Sequence, residues 1–158
     1  MCVDPDAVPC EIPDGDWLYR RIPPGHWARS STQGIRFEFA SFTDRELSVQ
    51  WHRHSSPREA LSHALTEDFK SRFGLESVED MLDAGWRVAQ LSVAFCREPV
   101  LGQTVAHMPD PDNYAHTEIQ GRKRLRVSTA LAEHARQAPL DGPNTSPMAP
   151  GQAEPADA

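Results

Sequence analysis

Apolar and polar residues alternate over several short stretches of the chain, the two-residue period of strands with one buried face. In "DWLYRRI" the alternation puts Leu18, Arg20 and Ile22 on one side and Trp17, Tyr19 and Arg21 on the other, and Pro23-Pro24 closes the strand. "HWARSSTQG" reads as a mobile polar loop. "IRFEFASF" predicts a second strand with Ile35, Phe37, Phe39 and Ser41 on one face. After "TDRE", "LSVQW" alternates again, Leu47, Val49 and Trp51 inward against Ser48, Gln50 and His52 outward. A short polar connector between these runs predicts an antiparallel hairpin.

Helical signals follow. Ser56, Pro57 and Glu59 form a capping box with proline at the first helical position; Leu61, Ala64, Leu65 and Phe69 continue at helical spacing to a stop at Gly74. Ser77 and Asp80 open a shorter helix ending near Gly85. "WRVAQLSVAF" predicts a strand with Ala89, Leu91, Val93 and Phe95 on one face, and Val105 marks a short one. In "AHTEIQ", Ala115, Thr117 and Ile119 oppose His116, Glu118 and Gln120; a last helix is expected over about 123–137. Strands and helices are mixed without regular βαβ alternation, which predicts an α+β fold with a mainly antiparallel mixed sheet and about three helices.

Composition divides the 158 residues into three parts. Residues 1–15 read as a flexible acidic leader, 16–138 as a single α+β domain, and 139–158, rich in Pro and Ala, as a disordered tail. The net charge of −7 comes from the ends: residues 17–138 hold all 16 Lys and Arg against 15 acids. A nearly neutral domain is a poor general nucleic-acid binder. The leader lacks a basic and apolar signal-peptide pattern and no apolar run is long enough to span a bilayer, so a cytoplasmic protein without membrane contact is expected. Three irregularly spaced cysteines, Cys2, Cys10 and Cys96, suggest free thiols, with Cys96 a buried structural one.

Candidate chemistry narrows by elimination. His52-Arg53-His54 with Glu59 imitates a strand-borne metal motif, but Glu59 already belongs to the capping box, so no metal is expected and solvated histidines are the plainer reading. His116-Thr117-Glu118 matches half of a zinc deaminase motif, yet no cysteine follows position 96 to complete it. Helix-borne H-E-x-x-H, G-x-S-x-G, the Walker A loop and G-x-G-x-x-G are all missing. A Cys96 dyad with His107 or His116 has no support from spacing. Arg122, Lys123, Arg124 and Arg126 cluster at the start of the last predicted helix and could hold a phosphate ligand, the alternative being a solvated basic turn. Arg20, flanked on its face by Leu18 and Ile22, needs a carboxylate or an anionic ligand; Glu38 and Glu118 are the strand-borne candidates.

"LYRRIPP", "SFTDRELSV", "VLGQTV" with "PDPDNYAH", and "HTEIQG" together resemble a family of small, uncharacterised bacterial proteins over most of 17–138, a resemblance that implies no activity. In order of motifs the chain also resembles ADP-ribosyltransferase and RES-type NAD-consuming folds, with Arg20 as the first-strand arginine, Ser41-Phe42-Thr43 as the Ser/Thr strand and Glu118 as the late glutamate. That resemblance implies NAD as cofactor, with Arg20 on its pyrophosphate, Ser41 supporting the site and Glu118 stabilising the ribose cation; His116 stands where many members carry Gln or Glu. The leading expectation is a non-catalytic accessory protein that uses its acidic ends to meet a protein partner; an NAD-dependent enzyme or toxin and a phosphate-ligand-binding domain are the alternatives.

Overall fold

A computed structural model describes residues 9–140 except Gln33. The expected tail, from residue 141, and the first eight residues of the leader lie outside the described residues. Eight strands and five helices follow in the order β1 (Trp17–Ile22), β2 (Trp27–Ser30), β3 (Gly34–Phe37), β4 (Glu46–Trp51), α1 (Pro57–Ser62), α2 (Glu67–Phe73), α3 (Val78–Asp83), β5 (Arg87–Ser92), α4 (Val93–Cys96), β6 (Thr104–His107), β7 (His116–Gln120), α5 (Leu125–His134) and β8 (Arg136–Gln137). Six strands form one sheet in the order β6-β7-β4-β1-β5-β8, and β2 pairs with β3 apart from it. Every pairing is antiparallel, so the fold is α+β.

The alternation of β1, β4 and β7 divides the sheet into two unlike faces. Leu18, Ile22, Leu47, Val49, Trp51, Ala89, Leu91 and Ile119 point to one side and are all buried. There they meet Phe42, Val127 and Leu131 from a 3-10 turn (Phe39–Phe42) and from α5. Ile12 joins this core at 1% exposure, so residue 12, expected in a flexible leader, is anchored. Its neighbourhood is held by Arg97, which donates to the Ile12 carbonyl and the Asp14 carboxylate. A smaller cluster sits on the other face, where Ala60, Leu61 and Met81 of α1 and α3 cover Tyr19 and Val88. These helices shield the β1-β5 half only; opposite β4 and β7 the second face stays polar, with Ser48, His116, Glu118 and Gln120 half-buried.

Several local expectations need correction. β3 pairs with β2, not β4, and the supposed polar loop contributes β2. "FASF" is a 3-10 turn, which buries Ser41 and Phe42 together, something one strand face cannot do for consecutive residues. The helix expected from 57 to 73 breaks at His63, because Thr66 caps a second helix by accepting from Phe69 N–H at 3.2 Å. β5 stops at Ser92, whose hydroxyl accepts from Phe95 N–H at 3.3 Å and starts α4. The last helix spans Leu125–His134 and gives way to β8. The Ser56 and Ser77 caps form as expected, accepting from Glu59 and Asp80 N–H at 3.1 Å each.

Two positions outside the candidate site generate direct tests. Gly121 ends β7 with φ +143°, and a Cβ there would lie 2.8 Å from the Gln103 amide and from the Gly102 carbonyl. Gln103 is buried and donates to the Leu101 and Arg122 carbonyls, so it has little room to retreat. Gly121→Ala is expected to destabilise the fold by about 1–3 kcal/mol, read as a lower midpoint in urea at unchanged slope.

His134 stacks on Phe95 with ring centroids 3.8 Å apart, and its Nε2 accepts from Ser92 N–H at 3.3 Å. Burial, with a smaller push from Arg136, lowers its pKa from 6.5 to about 4. The unfolded chain therefore takes up this proton first as the pH falls. The neutral ring's contribution is present above pH 6.5 and is lost progressively between 6.5 and about 4. In His134→Gln, which keeps an acceptor near Nε2, Tm should fall less steeply over that window; parallel Tm curves would contradict the assignment.

Candidate active site

Cross-strand register fixes what can meet on the open half of the second face. Tyr19 pairs with Gln50, Gln50 with His116, and Ser48 with Glu118, and directly opposed residues in an antiparallel sheet share a side. Tyr19, Gln50 and His116 thus form one row, with Ser48 and Glu118 beside it. The loop between β6 and β7 turns back over this row. Asp110 and Asn113 exchange backbone hydrogen bonds of 3.1 Å, and Met108 N–H donates to the His116 carbonyl at 2.9 Å. A groove of about 480 Å³ results, lined by residues that include Arg21, Ser48, Gln50, His63, Asp110, Asn113 and His116.

His116 has a defined tautomer. Its Nδ1 lies 2.8 Å from the Met108 carbonyl oxygen, which can only accept, so Nδ1 carries the proton. In the neutral ring Nε2 then keeps its lone pair, and it faces Ser48 Oγ at 3.4 Å. Asp110 Oδ2 stands 3.6 Å from Nδ1, close enough to stabilise a positive imidazole. Hydroxyl, imidazole and carboxylate therefore follow one another across β4, β7 and the loop.

Arg21 supplies the groove's cation. It donates from Nη1 to the Ala60 carbonyl at 3.0 Å and makes no ion pair among the described residues. Burial lowers its pKa, and the neighbouring charge of Arg20 lowers it further. A shielded guanidinium with no carboxylate partner is stabilised by an anion. Two acceptors in the same groove, Gln50 Oε1 and Asn113 Oδ1, are buried without a hydrogen-bond partner.

No protein-family model, curated protein or solved structure matches this chain.

The residues nominated by sequence are dispersed. Arg20 pairs with Ala89 on the core side, whereas Glu118 shares the open side with His116. The two lie on opposite faces of the sheet, and the ordering on which the NAD reading leaned does not become a shared site. Arg20 donates to the Ser41 and Ser48 carbonyls at 3.2 and 3.0 Å and pairs with Asp44 at 3.6 Å. Its partner is thus Asp44 and neither Glu38 nor Glu118. Ser41 is buried in the 3-10 turn, 2.8 Å from His26 Nδ1. Glu118 accepts from Gln120 Nε2 at 2.9 Å. His116 alone of that set lines the groove.

The basic cluster divides as well. Lys123 directs its ammonium at the Arg45, Ile119 and Gly121 carbonyls, and burial lowers its pKa to about 8. Arg122, Arg124 and Arg126 are exposed, and Arg124 occupies the N-cap of α5, so the four do not converge on one anion. His52 Nδ1 accepts from Trp17 N–H at 3.0 Å, while His54 packs edge-on against Trp51 and Tyr114. Among the described residues no group of three His, Cys, Asp or Glu side chains is arranged to hold a metal. Cys96 is a buried free thiol pushed up to about 12 by desolvation. Cys10 is disulfide-bonded, which corrects the expectation of free thiols throughout. No helix among the described residues is long and apolar enough to cross a membrane.

In the sequence Arg21 shares a strand side with Trp17 and Tyr19, and Ser48 and Gln50 share the outward side of their strand, with nothing to mark a role for any of them or for Asp110. The missing signal was the β4-β7 register, which joins segments nearly seventy residues apart. Gln50 provides a test of the groove's energetic character. An orphaned buried acceptor destabilises a fold by about 1–3 kcal/mol, so Gln50→Met should raise the unfolding midpoint. A lowered midpoint would show that the amide is held by partners in solution.

Proposed function

We propose that the protein binds a small organic anion in the groove over β4 and β7, with Arg21 as its charged anchor. The observation that carries this reading is the shielded Arg21 guanidinium, which lines the groove and has no carboxylate partner among the described residues. Arg21 and His63 also line a neighbouring hollow of about 460 Å³, which places them at the junction of two spaces. That hollow is walled by Phe69, Phe73 and Trp86, whose ring centroids stand 4.8–6.3 Å apart. Phe73 is 50% exposed, and Arg72 lies over its ring at 5.4 Å.

Charge and shape select the ligand class. A guanidinium takes a carboxylate or phosphate through paired N–H donors, and an aromatic wall takes a flat apolar group. The acidic side chains Asp110 and Asp112 border the His116 end and direct the anion toward Arg21. This reading keeps the expectation of an anionic ligand and moves it from the 122–126 cluster to Arg21.

Phenyl phosphate tests it, with inorganic phosphate as the reference. By calorimetry phenyl phosphate should bind more tightly than phosphate, and Arg21→Gln should weaken it at least about tenfold, equivalent to about 1.4 kcal/mol. Phe73→Ala should weaken phenyl phosphate and leave phosphate unchanged. An unaltered phenyl phosphate Kd in a folded Arg21→Gln protein would remove the proposal.

A further inference from the structure

The polar line beside Arg21 has no role in holding an anion, and its order is that of a nucleophile and its base. We propose that the groove hydrolyses a carboxylic ester, with Ser48 as nucleophile and His116 as general base. The substrate class rests on the anion-binding reading: an ester whose acyl or alcohol part carries a negative charge near Arg21. The geometry of the line itself is independent of that reading.

Three observations support the assignment. First, the Met108 carbonyl holds the Nδ1 proton of His116 and so leaves Nε2 as the proton acceptor facing Ser48 Oγ, 3.4 Å away. The reverse tautomer would make the ring a donor to the hydroxyl and useless as its base. Second, Asp110 is 3.6 Å from Nδ1 and favours the imidazolium formed when His116 takes the proton. It acts through His116 and is a positioning residue. Third, Ser48, Gln50 and His116 all open into one groove. Gln50 follows Ser48 on the same side of β4, so its amide N–H can face a developing oxyanion. The separations exceed an ordinary hydrogen bond slightly, as catalytic contacts in empty sites commonly do.

The reaction balances with water as the sole co-reactant. Ser48 Oγ attacks the ester carbon and forms the new C–O bond while its proton passes to His116 Nε2. Collapse of the tetrahedral adduct breaks the bond to the alcohol oxygen, which leaves with the proton from Nε2. Water then attacks the acyl-serine and gives a proton to Nε2. The Ser48 C–O bond breaks, Oγ takes that proton back, and a carboxylic acid is released.

Diisopropyl fluorophosphate is a suitable probe, being small and uncharged and therefore independent of Arg21. Oγ displaces fluoride from phosphorus, and the adduct is located by peptide mass. In the native full chain Ser48 should be modified stoichiometrically, and far faster than in the same chain unfolded in guanidinium. His116→Gln should slow modification by about 100-fold or more. Asp110→Asn should lower kinact with KI unchanged, which loss of structure alone would not do. Failure of native Ser48 to react, equal rates in native and unfolded chain, or a wild-type rate in folded His116→Gln would each overturn the proposal. Phenyl phosphate binding without Ser48 modification would overturn the hydrolase and leave the binding site standing. Modification without phenyl phosphate binding would support the relay and dispose of the anion reading.

Discussion

One peptide bond separates Arg20 from Arg21, and the two-residue period of β1 sends them into opposite environments. Arg20 points to the core side of the sheet, stays half-buried there, and finds two backbone carbonyls and the exposed Asp44 carboxylate. Arg21 enters the side that α1 covers incompletely and, among the described residues, donates to the Ala60 carbonyl alone. Everything distinctive about the second face follows from that partial cover. The apolar surfaces of α1 and α3 are satisfied by Tyr19 and Val88, so they do not extend over β4 and β7. A strand buried on one side and half-open on the other can carry reactive side chains without weakening its core.

Elsewhere the fold supplies partners to its buried polar groups with care. Asp16, 5% exposed, accepts from Trp51 Nε1 at 2.8 Å and from Arg53 at 2.9 Å. His107, 2% exposed, accepts from Cys10 N–H at 3.0 Å and donates to the Tyr114 carbonyl at 2.6 Å. Against that background the unpartnered oxygens of Gln50 and Asn113 stand out, since both line the groove. Gln90 and Gln103 also retain an unpartnered Oε1; Gln103 donates twice from its nitrogen, and Gln90 sits across from Tyr19 in the same polar row. Three of these four oxygens therefore belong to one side of the sheet.

Strand identity and facing were legible from alternation in β1, β4 and β7; of the three, β4 has a strictly apolar side, Leu47, Val49 and Trp51, while the buried side of β1 carries Arg20 and that of β7 carries Thr117. The pattern misled where apolar residues continued beyond the strand. "VAF" after Ser92 keeps the period of two, yet the Ser92 hydroxyl caps a helical turn there. "FASF" does the same, yet both Ser41 and Phe42 face inward from a 3-10 turn. In 57–73 the helical spacing persists across a break because Thr66 can cap a new helix without disturbing it. Pairing order was beyond reach: hydrophobic period records which side a residue faces, not which strand lies beside it. Arg21, Ser48, Gln50 and His116 could each be assigned to one side of a strand, but their convergence depends on register.

That dependence also explains why the groove is suited to chemistry. Ser48 and His116 stand on adjacent strands in the interior of the six-stranded sheet, with β1 and β6 as outer neighbours. The β4-β7 ladder fixes both backbones; on its other side the Ser48 carbonyl accepts from Arg20 Nη1 at 3.0 Å and the His116 carbonyl from Met108 N–H at 2.9 Å, and the ring of His116 is further set by the Met108 carbonyl. Asp110 comes from a loop, but its reciprocal hydrogen bonds with Asn113 close that loop into a tight turn. A nucleophile and base on rigid strands need little reorganisation to react, whereas a ligand must still displace water from the groove. In the proposed hydrolase the Ser48–His116 pair would carry the chemistry, and the Arg21 side, with its aromatic wall, the choice among substrates.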